Sequence, residues 1–308
     1  MNSQSNAKPE FQDAAPLAPA TLSVTRPIYW SIRREFWENR YLYIAPLAVA
    51  AVFLFAFLIS AIHSPGQLLS QFSMEHNRTE ISGPFDLSAA LLMGTGILMC
   101  VFYCAEALHG ERRDRSILFW KSLPVSDATT VLVKASIPLL ILPLLISAIT
   151  LVMQFLMLLL SSATLLATGG NVATLWTHLP IVQMSLLMLY HVLTAHALWP
   201  APVYCWLLLV SGWARRAAIL WAALPILALG GLEKIAFNTS RFAQLVGARF
   251  IGSTAPASST APGIFPTDPM THITPGAFLA TPGLWIGLVV TGLFLAAAIR
   301  LRRYQGPI

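Results

Sequence analysis

The sequence predicts an all-α integral membrane protein with six transmembrane helices, both termini cytoplasmic. Three observations carry that reading. Hydrophobic residues make up 56% of the 308-residue chain and charged residues only 10%, a balance outside the range of soluble domains. Several charge-free apolar runs reach the ~20 residues needed to cross a bilayer as a helix. The basic residues then collect on alternate connecting segments, as the positive-inside rule requires.

Each span follows from length and charge. Residues 42–62 give a first charge-free span, and 88–108 a second, uncharged until Glu106. Between Lys134 and Arg215 lie eighty residues (135 through 214) without Asp, Glu, Lys or Arg. That is too long for one helix, and Gly169-Gly170-Asn171 with the stretch from Trp176 to Pro180 divides it into spans near 135–162 and 180–210. A fifth span covers 216–233 and a sixth 280–300. Pro138, Pro143, Pro200, Pro202 and Pro225 fall inside spans, where a missing N–H should kink the helix. Continuous apolar runs of this length predict helices and not a barrel.

Orientation follows from counting cations. Lys8, Arg26, Arg33, Arg34, Arg40, Arg112, Arg113, Arg115, Lys121, Lys134, Arg215, Arg216, Arg300, Arg302 and Arg303 fall on one side; Arg78, Lys234, Arg241 and Arg249 fall on the other. Fifteen against four places the first side in the cytoplasm. The net charge of +6 is therefore read as membrane topology, and no nucleic-acid partner is inferred from it.

The segments outside the spans differ in kind. Residues 1–27 are polar and rich in Ala, Pro and Ser, and read as a disordered cytoplasmic arm; the six-helix membrane domain is 28–308. Residues 28–40 carry Ile28, Ile32 and Phe36 at helical spacing, with Arg33, Arg34 and Arg40 mainly elsewhere on the wheel. This predicts an amphipathic interfacial helix bearing Trp30 and Trp37, whose use as an anchor or as a docking element composition leaves open. Residues 234–279 read as a long outer loop. Gly283 and Gly287, with Thr291, put small residues on one face of the last span and permit close helix packing.

The segment 109–134 stands apart. Within residues 110–134, five basic and three acidic side chains flank the apolar run Ile117-Leu118-Phe119-Trp120. Glu111 and Arg115 suit an i,i+4 pair, Leu123-Pro124 forces a break, and Ser126 or Asp127 suits the cap of the next helix. The expected form is helix, turn, helix on the membrane surface. Its arginines and aromatics fit either a protein interface or an anionic lipid surface.

The run Glu111-Arg112-Arg113-Asp114-Arg115-Ser116-Ile117-Leu118-Phe119-Trp120-Lys121-Ser122-Leu123-Pro124-Val125-Ser126 closely resembles the loop between the second and third spans of ATP-binding-cassette (ABC) permeases of the type-two exporter kind. The resemblance implies that this loop contains a coupling helix docking in a cleft of a separate ABC ATPase subunit. Glu111, Arg112, Arg113, Asp114, Arg115, Ser116, Phe119, Trp120, Lys121 and Pro124 would form that docking site. The entry helix, with Arg33, Arg34, Phe36 and Trp37, would lie alongside, and Arg215 and Arg216 at a second cytoplasmic contact. It further implies a second permease copy or paralogue, export across a bacterial inner membrane, and ATP with magnesium held by the partner.

Other functions are weighed against this one. The chain contains no Gly-Lys pair and no Leu-Ser-Gly-Gly stretch, hence no P-loop or ABC signature. No catalytic residue, bound cofactor or metal site is assigned. Cys100, Cys104 and Cys205 lie in apolar runs without metal spacing, and His191 and His196, five apart, project from different helix faces. The alternative is an ion-coupled secondary transporter, for which midplane carboxylates are expected; the expected spans contain Glu106 and, as the last residue of the fifth, Glu233, and neither is at a midplane position.

Overall fold

The computed structural model describes residues 25–63, 78–122, 125–169, 172–178, 181–251 and 275–304. The chain orders as α1 (Thr25–Glu38), α2 (Tyr41–His63), α3 (Arg78–Glu106), α4 (His109–Arg113), α5 (Ser116–Ser122), α6 (Asp127–Ser136), a π-helical segment (Ile137–Ile141), α7 (Leu142–Ala167), α8 (Val172–His178), α9 (Ile181–His191), a second π-helical segment (Val192–Leu198), α10 (Ala201–Trp213), α11 (Ala218–Phe237), α12 (Arg241–Ile251), α13 (Pro275–Ala280) and α14 (Pro282–Tyr304). No strand occurs among the described residues.

Among the described residues, five helical stretches are long and apolar enough to span a membrane: Tyr41–His63, Gly83–Arg113, Asp127–Ala167, Ala218–Phe237 and Pro282–Tyr304. A sixth span results if Met188–Leu198 and Ala201–Trp213, bent by 45° at their junction, count as one. The chain is thus an all-α, multi-pass membrane protein. The outward faces agree, since Val52, Phe55, Leu98, Leu166, Leu227 and Ile235 are exposed, an arrangement suited to hydrocarbon and not to water.

Five of the expected spans recur with shifted ends, and the fourth, expected at 180–210, is broken near Trp199. Helix α3 begins well before residue 88 and so takes Asp86 into its outer turns. The arm expected at 1–27 lies outside the described residues up to residue 24. The expected outer loop 234–279 is not all loop: α11 continues to Phe237 and α12 fills 241–251. Its apolar positions alternate with Arg241, Gln244 and Arg249, a helical pattern that the Pro- and Ser-rich stretch after Ser253 obscures in a coarse reading.

The prolines act where backbone donors are missing. Near Pro138 and Pro143 the Leu142 N–H reaches back to Ile137 O, and before Pro200 the Trp199 N–H reaches Thr194 O at 2.9 Å. Both bonds run one residue further than the α-pattern, so the two π segments absorb the prolines. Helix α10 packs on α14 and α3, and α2 packs on α7 and α3. Leu42, Phe57, Tyr103, Leu142, Met157, Tyr204, Leu208 and Ala298 form one continuous core. Gly212 lies under Leu108, which a Cβ there would approach to 3.3 Å. That close approach brings the α3–α4 corner onto the end of α10.

Candidate functional site

At one end of the bundle the chain gathers α1, the corner 107–122, the start of α6, the end of α10 and the end of α14. Charged residues from four of these elements meet beneath the loop.

Helix α4 turns off α3 and is pinned from below. The Leu108 N–H donates to Ser211 Oγ at 3.4 Å. His109 Nδ1 lies 3.1 Å from Ala214 O, and because a carbonyl only accepts, Nδ1 carries the proton in that contact. Arg112 is buried and donates to Gly212 O at 2.6 Å and Ala214 O at 3.4 Å. These bonds occupy the carbonyls left free at the C-terminus of α10.

Glu111 faces inward to a buried ionic cluster. It pairs with Arg302 of α14, Arg34 of α1 (3.1 Å) and Lys134 of α6 (3.2 Å). Lys134 also donates to Glu35 at 2.8 Å, and Arg34 lies 2.8 Å from the same carboxylate. The Tyr103 hydroxyl donates to Glu35 Oε2 at 2.9 Å. Arg302 further pairs with Asp127 at 3.2 Å. Glu35 is fully buried, and Lys134 is 2% exposed. Three acids (Glu35, Glu111, Asp127) meet three bases (Arg34, Lys134, Arg302) on the inner side, and the exposed Glu38 reaches Arg34 from outside at 3.5 Å. Burial acts to raise the pKa of Glu35, but Lys134 and Arg34 outweigh it and hold the carboxyl below its ordinary range.

Such a cluster is costly to break, because removing one member strands a buried charge, ~3–5 kcal/mol. It therefore fixes the relative placement of α1, α4, α6 and α14.

Above this base the loop reverses at Arg115, which adopts φ +59°, and α5 follows. Ser116 Oγ donates to Glu111 O at 3.4 Å. Ile117 is buried, whereas Leu118 and Phe119 are 58% and 59% exposed. Trp120 lies under Arg34, whose Cζ is 3.8 Å from its ring centroid, and meets Phe119 edge-on at 5.0 Å. Lys121 Nζ reaches Arg303 O at 3.5 Å. Ser126 caps α6 by accepting from the Thr129 N–H at 3.0 Å, as the sequence suggests.

The sequence-derived site residues divide into two groups. Arg113, Asp114, Arg115, Phe119 and Lys121 are exposed, while Ser116 and Trp120 are half-buried. Arg113 pairs with Glu106 at 2.8 Å and with Asp114 at 3.3 Å. Glu111 and Arg112 are buried and hold the loop from within; neither presents an outward face. The expected Glu111–Arg115 helical pair does not form, because α4 ends at Arg113 and Glu111 is drawn to deeper cations. Pro124 lies outside the described residues.

On α1, Arg33 sits exposed against Trp30 (5.2 Å) and Trp37 (4.5 Å). Arg34 faces in, and Phe36 packs on the core and tilts against Tyr43 at 6.4 Å. Arg215 and Arg216 are exposed in the joint before α11, beside Ala217 with φ +46°. Gly283 and Gly287 face Trp199 and Arg249 of the same chain.

Sequence reasoning missed Glu35, Lys134, Tyr103 and Arg302 as site residues. Two signals were present. Glu35 falls beside Ile32 and Phe36, on the apolar stripe of its helix. Lys134 is the last charge before the eighty-residue uncharged run, a position where a lysine needs a buried acid. Among the described residues no group of His, Cys, Asp and Glu side chains is placed to hold a metal ion.

No protein-family model, curated protein or solved structure matches the chain.

Proposed function

We propose that this chain is the membrane-spanning permease subunit of an ATP-driven exporter of the type-two ABC kind, coupled to a separate ATPase. Helix α5 is the coupling helix, α1 the interfacial entry helix, and both termini are cytoplasmic. The observation that carries the reading is the contrast within a single turn of α5. Leu118 and Phe119 project outward, uncovered, from a loop whose other side is tied into a six-charge cluster with Glu35, Glu111, Lys134 and Arg302 buried. A helix meant only to rest on lipid needs no such rigid footing; one that receives force does.

In this reading the ATPase cleft closes around Leu118 and Phe119. Displacement of α5 is carried through Glu111 to Arg302 on the last span and to Lys134 at the foot of the third. It passes through Arg34 and Trp120 to α1. The cluster moves as a unit because separating its members exposes an unbalanced buried charge. The spans then exchange between inward- and outward-open packings, with the path at the interface with a second permease subunit. ATP and magnesium are held by the ATPase and not by this chain.

The test is co-purification in mild detergent. Leu118→Asp and Phe119→Asp should each lose the ATPase and leave membrane insertion and thermal midpoint unchanged, since neither side chain packs inward. Retention of the ATPase by both variants would reject the docking role.

A further inference from the structure

The other end of the bundle contains an arginine in a setting that the ATPase-docking reading does not use. Helix α12 folds back from the end of α11, and the turn is held by Glu233. Its carboxylate accepts from Thr239 Oγ1 (2.7 Å), the Arg241 N–H (2.8 Å) and the Phe242 N–H (2.8 Å). The far end of α12 thereby reaches the junction of the bent fourth span, at Trp199, and the first turns of α14. The Trp199 indole N–H donates to Ala248 O at 2.7 Å. In return Arg249 donates to Trp199 O at 3.2 Å and to Gly283 O at 2.7 Å. Its Cζ stands 4.4 Å from the Trp199 ring centroid.

The two glycines of the last span form the floor of this seat. A Cβ at Gly287 would stand 2.7 Å from Arg249 Nη1, and one at Gly283 would stand 3.4 Å from the Trp199 ring. The small-residue face of α14 is thus the bed of an arginine side chain from the same chain.

Arg249 lies far from the charged end. Gly287 precedes Arg302 by fifteen residues on one helix, ~22 Å of rise. Among the described residues no carboxylate pairs with Arg249; the side chain is half-buried, and two backbone carbonyls and an aromatic face meet its charge. The seat is also rich in negative potential. Trp199 O belongs to the C-terminal end of a broken half-helix, where the helix dipole favours cations, and carbonyls at such breaks coordinate cations in transporters. The indole face adds cation–π attraction.

We propose that the junction at Trp199 is a binding site for an organic cation with a guanidinium or primary ammonium head, occupied in this conformation by the chain's own Arg249. Movement of α12 away from α14 withdraws Arg249 and presents Trp199 O, Gly283 O and the indole face to an incoming cation. None of these residues belongs to the loop 109–134, so the proposal stands or falls separately from the ATPase reading.

The test is occupancy of the vacated seat. Purified full-length Arg249→Ala, in detergent, is titrated with millimolar methylguanidinium against sodium chloride of equal ionic strength, and the thermal midpoint is followed. A saturable rise is expected in Arg249→Ala, with none in the wild type, where the seat is filled, and none in Arg249→Ala/Trp199→Leu, where it is dismantled. Equal responses in all three proteins, or no response in a folded Arg249→Ala, would overturn the proposal. Should Arg249→Ala fail to fold, Gly287→Ala in the otherwise wild-type chain decides. Its added methyl expels the guanidinium, and backbone amides of 241–251 should exchange with solvent about tenfold faster or more, given the strength of hydrogen bonds to a charged donor. Unchanged exchange there would overturn it equally.

Discussion

Replacing Lys134 with Met is the sharpest perturbation of the ionic cluster. Met fills similar volume and suits a helix, so the change is one of charge. Lys134 serves two acids, Glu35 at 2.8 Å and Glu111 at 3.2 Å. After the change Glu35 keeps Arg34 and the Tyr103 hydroxyl, and Glu111 keeps Arg34 and Arg302. The cluster is left with two bases against three acids and one uncompensated buried charge. Stranding such a charge costs ~3–5 kcal/mol, and the surviving partners place the expected loss near the lower bound, about 3 kcal/mol. The assay is thermal or denaturant unfolding in detergent, followed by helix loss. The decisive comparison is Lys134→Met/Glu35→Gln, which restores balance with two bases against two acids. It should recover most of the loss, a coupling of about 2 kcal/mol between residues in direct contact. A Lys134→Met protein as stable as the wild type would refute the reasoning, and so would a double variant whose losses simply add.

Two further outcomes follow from the same geometry. The Glu35 carboxyl is held below its ordinary range, so its stabilisation is fully present above the unfolded carboxyl pKa of ~4.3 and is lost as pH falls through the lower folded value. Unfolding midpoints should therefore show no Glu35-dependent change between pH 7 and about 5, and below about 4 the wild type should lose more than Glu35→Gln; a Glu35-dependent loss near neutrality would contradict the charge assignment. Glu233→Ala should raise amide exchange in 241–251 through loss of the bonds to Thr239, Arg241 and Phe242, and unchanged exchange would show that the turn holds without its carboxylate.

The spans were legible because hydrocarbon imposes one rule over some twenty residues at a stretch; five runs obeyed it, and a sixth does so if the pair bent at Trp199 counts as one. The cap at Ser126 was equally readable, being a local contact between a hydroxyl and an N–H three residues on. The ionic cluster was much less so. Glu35, Glu111, Lys134 and Arg302 are separated by up to 267 positions in the sequence (35 to 302), and only tertiary packing brings them together. Counting cations for orientation assigned Lys134 and Arg302 to a side of the membrane but carried no sign of their burial, which is almost complete. Gly283 and Gly287 suggested close helix packing, and what lies against Gly287 is the Arg249 side chain, from a stretch that composition marked as loop.

The most direct measurement places a photoreactive phenylalanine analogue at position 119 and identifies what it captures in native membranes. The proposed function requires an adduct with a P-loop ATPase polypeptide, lost when Leu118 is also changed to Asp. Adducts with lipid alone, from a protein that moves its cargo with no ATPase present, would contradict it.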